Sequence, residues 1–162
     1  LPRFGMRMEL QQSYENLTYY GRGPLENYID RYSSSFIGRY EDKVENQFYW
    51  YIRPQETGNK TDVRWLALLN SEGEGVKITG LQPIAFSALH FSPEDLDPGL
   101  TRKLQHTIDI VPQKNIFLHV DLKQRGLGGD NSWGMYPYNK YRLLDKKYVY
   151  SYMIELAEKG SD

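Results

Sequence analysis

The chain has no cysteine, no excess of basic residues and no long apolar run, and each absence excludes a class of function. Without cysteine there are no disulfides, thiolate metal sites or cysteine nucleophiles. The formal net charge of -1 argues against a nucleic-acid backbone as the main partner, because such proteins usually present a basic face. No apolar run approaches the roughly 18 residues of a membrane span, so the sequence predicts no membrane-spanning segment.

Aromatic residues, in contrast, make up 14% of the chain and include fourteen tyrosines. Aromatic side chains suit a pleated, half-buried surface and so favour a β-rich fold. They also suit a sugar-binding surface, on which ring faces pack against pyranose C–H groups. The composition leaves both interpretations open.

Apolar and polar residues alternate with a period of two in several segments, which is typical of strands with one buried face. The clearest is "IFLHVDLK" (residues 116–123), in which Ile116, Leu118 and Val120 face one way and His119 and Asp121 the other. Similar alternation occurs in residues 5–10, 75–80, 104–111 and 148–156. Roughly ten or more strands separated by turn residues predict an all-β, antiparallel sandwich, and the length predicts one domain over residues 1–162.

Helix signals are few. Ser92 is a suitable N-cap for a short helix in "SPEDL" (residues 92–96), which Pro98 and Gly99 are expected to end. The segment "GPLENYIDR" (residues 23–31) predicts a second helical turn that opens at Pro24.

The segment "RGLGGDNSWG" (residues 125–134) is rich in glycine and follows a predicted strand. It is not a phosphate-binding loop, because no Lys-Ser or Lys-Thr pair follows and the next segment does not open a helix. Glycines at a tight turn explain most of its composition. They do not explain Trp133, which either packs into the core or is displayed.

Acidic residues and histidines are the candidate catalytic groups of the sequence. Glu26, Glu56 and Asp130 lie in distinctive turns, although retaining glycoside hydrolysis requires a pair about 5 Å apart and the chain is rich in acids. The three histidines lack the close spacing of a metal site, and we interpret them as hydrogen-bonded strand residues: His90, His106 and His119. The alternative is a sugar epimerase, in which a histidine acid and a carboxylate base converge on the sugar.

Four ordered stretches together resemble one family: "LPRFGMRM" (residues 1–8), "YYGRGPLENYIDR" (19–31), "YIRPQETGNKTDVRW" (51–65) and "QRGLGGDNSWG" (124–134). They are similar to the C-terminal domain, also called the small chain or domain 5, of the LacZ-type β-galactosidases of glycoside hydrolase family 2. The resemblance spans nearly the whole chain.

This resemblance implies an antiparallel β-supersandwich of the galactose-mutarotase-like kind with few short helices. It implies a parent enzyme that is a retaining β-galactosidase acting on terminal non-reducing β-D-galactose residues. In that family the catalytic glutamates lie on a (β/α)8 barrel earlier in the polypeptide, and no such pattern occurs here. We therefore expect a fragment of a longer enzyme that contains no catalytic residue and is inactive in isolation.

The resemblance also implies a role for the glycine-rich loop. In the family its tryptophan enters the active-site mouth and stacks on the substrate, a position that Trp133 matches. Asp130, Asn131 and Ser132 are expected to hold the loop's shape and contribute to substrate binding. The other motifs are interpreted as buried polar networks, with Glu56 as the exception, because mutarotase-like folds can place a carboxylate in the concavity of the sheet.

The family suggests no cofactor in this domain, since parent enzymes often bind magnesium and sodium elsewhere in the chain. Expected partners are a β-galactoside and the upstream domains of the same polypeptide, in a homo-oligomeric bacterial enzyme of the cytoplasm or periplasm. Two alternatives remain: a free-standing carbohydrate-binding or mutarotase-like protein, and an architectural domain that caps a larger enzyme.

Overall fold

A computed structural model of the chain describes residues 1–97, 99, 106–129, 131 and 134–158. Its strands are β1 (Arg3–Leu10), β2 (Asn16–Gly23), β3 (Phe36–Lys43), β4 (Lys60–Leu69), β5 (Gly75–Leu89), β6 (Ile116–Gln124) and β7 (Tyr152–Ala157). They form one sheet in the order β1-β6-β5-β4-β2-β3, in which β7 also pairs with β5. Every pairing is antiparallel, which confirms the all-β prediction.

Strand β5 is the organising element because it is 15 residues long and has three partners. One of its edges pairs with β4. Its first half, from Gly75 to Gly80, pairs with β7, and its second half, from Ala85 to Leu89, pairs with β6. The strand thereby joins two regions of the sheet.

The core lies against one face of the sheet, as the alternation predicts. Register places Met6 opposite Val120 on β6 and Phe86 on β5 opposite the same residue, so side chains of three strands share that face. The buried members of this core are Leu17, Tyr19, Val44, Val63, Leu66, Leu68, Ile78, Ile84, Phe86, Ala88, Ile116, Leu118 and Val120. A smaller cluster comprises Phe48, Leu89, Phe91, Leu96 and Ile110.

The short helix predicted after Ser92 is confirmed as α1 (Pro93–Leu96). The Ser92 hydroxyl accepts a bond from the backbone N–H of Asp95, and the Asp95 carboxylate accepts one from the Ser92 backbone. This reciprocal capping satisfies two N–H groups that the helix itself leaves unpaired. The predicted end of this helix includes Pro98, which lies outside the described residues.

The helical turn predicted at Pro24 was wrong. A cis peptide bond joins Gly23 to Pro24, and the following residues form bends rather than helix. The Asn27 amide donates to the backbone carbonyls of Arg22 and Leu25, and the Asn27 backbone N–H donates to Asn59. These hydrogen bonds satisfy polar groups of the segment in a loop conformation instead of a helix.

Two strand predictions also require correction. In residues 104–111 the described part contains a 3-10 turn (Thr107–Asp109), because the Asp109 carboxylate accepts the His106 backbone N–H at 2.7 Å and closes the chain locally. In residues 148–156 the strand begins only at Tyr152. The described residues therefore contain seven strands rather than ten.

No helix among the described residues is long and apolar enough to cross a membrane. The supersandwich and the kinship with galactose mutarotase, both implied by the resemblance, stay predictions.

Candidate functional site

The glycine-rich loop leaves the sheet where β6 ends, and its first residues are fixed by three hydrogen bonds to distant segments. Backbone N–H groups of Arg125 and Gly126 donate to the carbonyls of Pro2 and Tyr141, each at 2.8 Å. The Gly128 N–H donates to the Asp30 carboxylate at 2.7 Å. The base of the loop is thus held by the N-terminus, by the segment near Tyr141 and by the "ENYIDR" motif.

The glycine at position 126 is required by this packing. A Cβ at Gly126 would collide with the Asp30 carboxylate, so any larger residue would displace the group that holds Gly128. The glycine content of the loop base is therefore explained by a close approach to Asp30.

A cavity of about 300 Å³ lies beside the loop base, and three tyrosines contribute to its wall. The guanidinium of Arg142 lies 4.6 Å from the ring centroid of Tyr136, and that of Arg125 lies 5.5 Å from it. These cation–π contacts orient one wall of the cavity. Its lining residues are Asp30, Gly128, Gly129, Tyr136, Pro137, Tyr138 and Tyr141.

Of the four residues predicted to contact substrate, the structure describes one. Asn131 is exposed. Asp130, Ser132 and Trp133 lie outside the described residues, so their roles stay predictions.

Sequence reasoning did not single out Asp30 or the three cavity tyrosines. Asp30 is the last acidic residue of a quoted motif, and that position was the only signal that could have found it.

Glu26, from the same motif, is the acceptor of a dense hydrogen-bond network. Its side chain is only 11% exposed, and Arg31 donates to its Oε1 atom at 2.6 Å. The Tyr51 hydroxyl is a second donor to Oε1. The Oε2 atom accepts from the Thr57 hydroxyl at 3.0 Å and from the Gly58 N–H at 2.8 Å. Glu26 therefore joins two motifs that are distant in sequence.

Asn27 makes a second connection between the same motifs. Its Oδ1 atom accepts from the backbone N–H and the hydroxyl of Thr61, at 2.9 and 2.5 Å. The Asn59 amide in turn donates to the Asn27 carbonyl at 2.8 Å. All three side chains are buried. These contacts agree with the predicted structural role of the two motifs.

Glu56 lies at the edge of a third network, centred on Arg3. The Arg3 guanidinium contacts Asp121 at 2.8 Å, Glu56 at 3.5 Å and the Gln124 side chain at 3.1 Å. Burial raises the pKa of Glu56, and the Arg3 charge opposes that rise. Glu56 is thus held in an ion-pair network, and a mutarotase-like role for its carboxylate stays a prediction.

Asp121 is the member of this network that sequence reasoning missed. The alternation predicts that it lies on the polar face of its strand, yet its side chain is 1% exposed. Burial raises its pKa to about 6 against the opposing charge of Arg3. The burial arises because Asp121 packs over Gly5, where a Cβ would collide with the carboxylate. Only pairing of β6 with β1 creates this contact.

Of the three histidines, all predicted to be strand residues, only His119 lies in a strand, on β6; His90 follows the end of β5 and His106 precedes a 3-10 turn. His90 contacts the Glu15 carboxylate at 2.8 Å, and His106 lies 3.7 Å from Asp109. Burial lowers the pKa of His119 to about 4, which keeps that ring neutral at pH 7. Among the described residues, no hydrogen bond joins a histidine to Glu56. The described contacts therefore give no support to an epimerase pair at Glu56. The described part of the chain also contains no group of three potential metal ligands.

These observations define an all-β antiparallel domain whose glycine-rich loop is locked to two other sequence motifs. The profile of the family described as "Beta galactosidase small chain" matches residues 1–154. The chain belongs to this family.

Individual relatives support the same family assignment. The chain is 37% identical to a beta-galactosidase of Priestia megaterium over 88% of its own length and 13% of the relative's. It is 33% identical to a beta-galactosidase of Streptococcus thermophilus, over 95% of the chain and 15% of the relative. A beta-galactosidase of Lactobacillus delbrueckii subsp. bulgaricus is also 33% identical, over 91% of the chain and 14% of the relative. The chain thus spans between 13% and 15% of the length of these relatives.

Proposed function

We propose that this chain is the domain of a β-galactosidase that completes the mouth of the active site through the loop at residues 125–134. The enzyme as a whole removes terminal non-reducing β-D-galactose from β-galactosides. The small-chain domain contributes substrate contact and no catalytic group. Its main partner is the barrel-containing part of the same enzyme.

The anchored base of the loop carries this proposal. A loop that contacts substrate must hold its tip steady, because misplacement of a contact by about 1 Å costs binding energy and rate. Asp30 and Tyr141 fix the backbone at Gly128 and Gly126, two to seven positions before the tip residues 130–133. The tyrosine-lined cavity beside them adds aromatic surface of the kind that suits sugars.

Trp133 is the residue proposed to stack on the sugar. An indole offers a large apolar face together with an N–H donor, which matches the amphipathic surface of a pyranose. Asp130, Asn131 and Ser132 are proposed to support the tip through short polar contacts. The isolated chain is expected to show no turnover of a chromogenic β-galactoside.

The test is Trp133→Ala in the full-length β-galactosidase that carries this domain. We expect KM and acceptor binding to weaken by about 1 to 3 kcal/mol, roughly five- to 150-fold, because ring stacking is lost. The melting temperature is expected to stay nearly constant, since truncation of a displayed side chain changes stability by under about 0.5 kcal/mol. Tyr20→Ala, at an exposed aromatic residue on β2, is the control.

A core tryptophan would behave in the opposite way. Its truncation would destabilise the domain by roughly 3 to 5 kcal/mol, and the enzyme that still folds would keep its kinetics. That result would defeat the proposal for Trp133.

A second candidate is favoured by the exposed apolar side chains, which suit an architectural domain docked on other protein. Leu156 on β7 is 83% exposed, and Ile154 on the same strand is 49% exposed. Leu156→Lys is then expected to weaken assembly of the full enzyme in analytical ultracentrifugation without loss of the β circular dichroism spectrum. Unchanged assembly would remove this candidate.

A further inference from the structure

We propose that the chain binds a pyranose-sized sugar in a polar cavity between the "GPLENYIDR" and "FYWYI" segments, with the Lys60 ammonium and the Tyr49 and Tyr51 rings as its main contacts. This cavity uses none of residues 125–134, so the inference does not depend on the function proposed above.

The cavity has a volume of about 440 Å³, within the range of small-molecule sites of roughly 300 to 1,000 Å³. Its walls come from three parts of the chain: residues 24–34, residues 42–51 and Lys60. The charged residues and the two tyrosines of its lining are Glu26, Arg31, Asp42, Tyr49, Tyr51 and Lys60. Glu26 holds both Arg31 and Tyr51 by hydrogen bonds, so these two walls are fixed to each other.

Lys60 places a buried cation at the inner wall of this cavity. The residue is 2% exposed, and its ammonium donates to the Gln47 side chain at 2.9 Å and to the Gly58 carbonyl at 3.3 Å. An ammonium has three N–H donors, so one remains for a ligand. Within the described ranges, no carboxylate oxygen lies within ion-pair distance of its nitrogen. A buried charge in this position is costly to leave without a polar partner.

Asp42 supplies an acceptor near this donor. Its carboxylate accepts from the Asn46 and Gln47 amides, each at 2.8 Å, and the same Gln47 side chain accepts from Lys60. Gln47 therefore separates the two charges and holds both in place. A sugar hydroxyl can accept from one group and donate to the other, which a simple cation or anion cannot do.

Two tyrosine rings form an aromatic wall. The centroids of Tyr49 and Tyr51 lie 4.6 Å apart, and Tyr49 is 58% exposed. The alternate residues Phe48 and Trp50 contact each other at 4.9 Å, and Phe48 packs against Phe91 at 4.3 Å. This packing fixes the segment and leaves the tyrosines at the cavity.

The charge balance favours a neutral ligand. The two carboxylates of Glu26 and Asp42 and the two cations of Arg31 and Lys60 are the charged groups of the lining, and they cancel. A neutral ligand with many hydroxyl groups and an apolar ring face matches this surface. Sugars combine both properties.

The test titrates the 162-residue chain with methyl β-D-galactopyranoside and methyl α-D-glucopyranoside, with sodium sulfate as the anionic probe. We expect millimolar binding of at least one glycoside by ligand-observed NMR and calorimetry, and none of sulfate. In heteronuclear NMR spectra the largest amide shifts are expected at Tyr49, Gly58 and Lys60. Tyr49→Ala is expected to weaken binding at least tenfold, whereas Tyr20→Ala, at an exposed tyrosine on β2, leaves it unchanged.

Lys60→Met removes the ammonium and keeps a similar volume, and it is expected to abolish detectable binding. If that variant does not fold, the effect of Tyr49→Ala on binding and the positions of the amide shifts test the proposal. Absence of glycoside binding, binding of sulfate instead, or binding that Tyr49→Ala leaves intact would overturn the proposal. Loss of binding on Trp133→Ala alone would assign the sugar to the glycine-rich loop, which also overturns it.

Discussion

The Oδ2 atom of Asp30 accepts a 2.7 Å hydrogen bond from the backbone N–H of Gly128, a residue 98 positions away in the sequence. This bond joins two of the four stretches by which the family resemblance is recognised. The motif that contains Asp30 therefore supports the glycine-rich loop.

Asp30→Ala is expected to loosen the base of the loop. A hydrogen bond to a charged acceptor contributes about 1.5 to 3 kcal/mol when well protected, and less at this exposed position. We therefore expect hydrogen exchange at the Gly128 amide to accelerate about tenfold, with little change at β6. Asp30→Asn keeps an acceptor oxygen and should restore much of the protection, and Asp145→Ala is the exposed control. Equal exchange in all four proteins would contradict the role of Asp30.

Gly126→Ala tests the same contact from the opposite side. A Cβ at this position meets the Asp30 carboxylate, which must move and thereby give up its bond to Gly128. The exchange rate at Gly128 should rise as it does in Asp30→Ala, and the double variant should show no further rise, because both changes remove one interaction. Leu127→Ala, at an exposed neighbour, serves as the control. Additive effects would show that the two residues act separately.

Glu26→Gln is expected to destabilise the domain by about 1 to 3 kcal/mol. The amide that replaces one carboxylate oxygen faces existing donors, and it presents N–H groups to Thr57, Gly58 or Tyr51 instead of an acceptor. For a chain of this size the melting temperature should fall by roughly 2 to 4 °C per kcal/mol. Glu72→Gln on the exposed turn after β4 should leave it within error. A stable Glu26→Gln variant would mean that the donors find other acceptors.

The parts of this structure that sequence predicts well are those fixed by near neighbours. The alternation in residues 116–123 predicts β6, and Ser92 predicts α1, because the cap and its partner Asp95 are three residues apart. By contrast, the short turn around Thr107 shares the alternation of a strand. In that segment the Asp109 carboxylate accepts a hydrogen bond from the His106 backbone N–H and closes a 3-10 turn. The periodicity of the sequence alone cannot detect this bond.

The site depends on contacts between distant segments, which is why most of it could not be predicted from residues alone. Asp30 and Gly128 meet only when the sheet has formed, and Lys60 meets Gln47 only through the turn after β3. The resemblance located the loop and its motif. It carried no information about which acidic residue of the motif holds the loop.

Asp121 gives a prediction with a defined pH dependence. Its pKa in the folded chain is about 6, against 3.8 as its ordinary value, chiefly because burial disfavours the carboxylate. Between these two pH values the folded state holds more protons than the unfolded state, so the free energy of unfolding falls as pH rises from about 4 to 6. The contribution from Asp121 is therefore fully present below about pH 4 and lost above about pH 6.

Asp121→Asn removes this titration while it keeps the size of the side chain. Urea unfolding of both proteins at intervals from pH 3.5 to 7.5 should show the natural chain losing about 2 to 3 kcal/mol relative to the variant across this window. The pKa values of Glu56 and His119 are also shifted, so the stability of the natural chain alone would mix several titrations. The difference between the two proteins isolates the contribution of Asp121. A constant difference between the natural chain and Asp121→Asn would show that Arg3 keeps the buried carboxylate ionised throughout, with a pKa near or below its ordinary value.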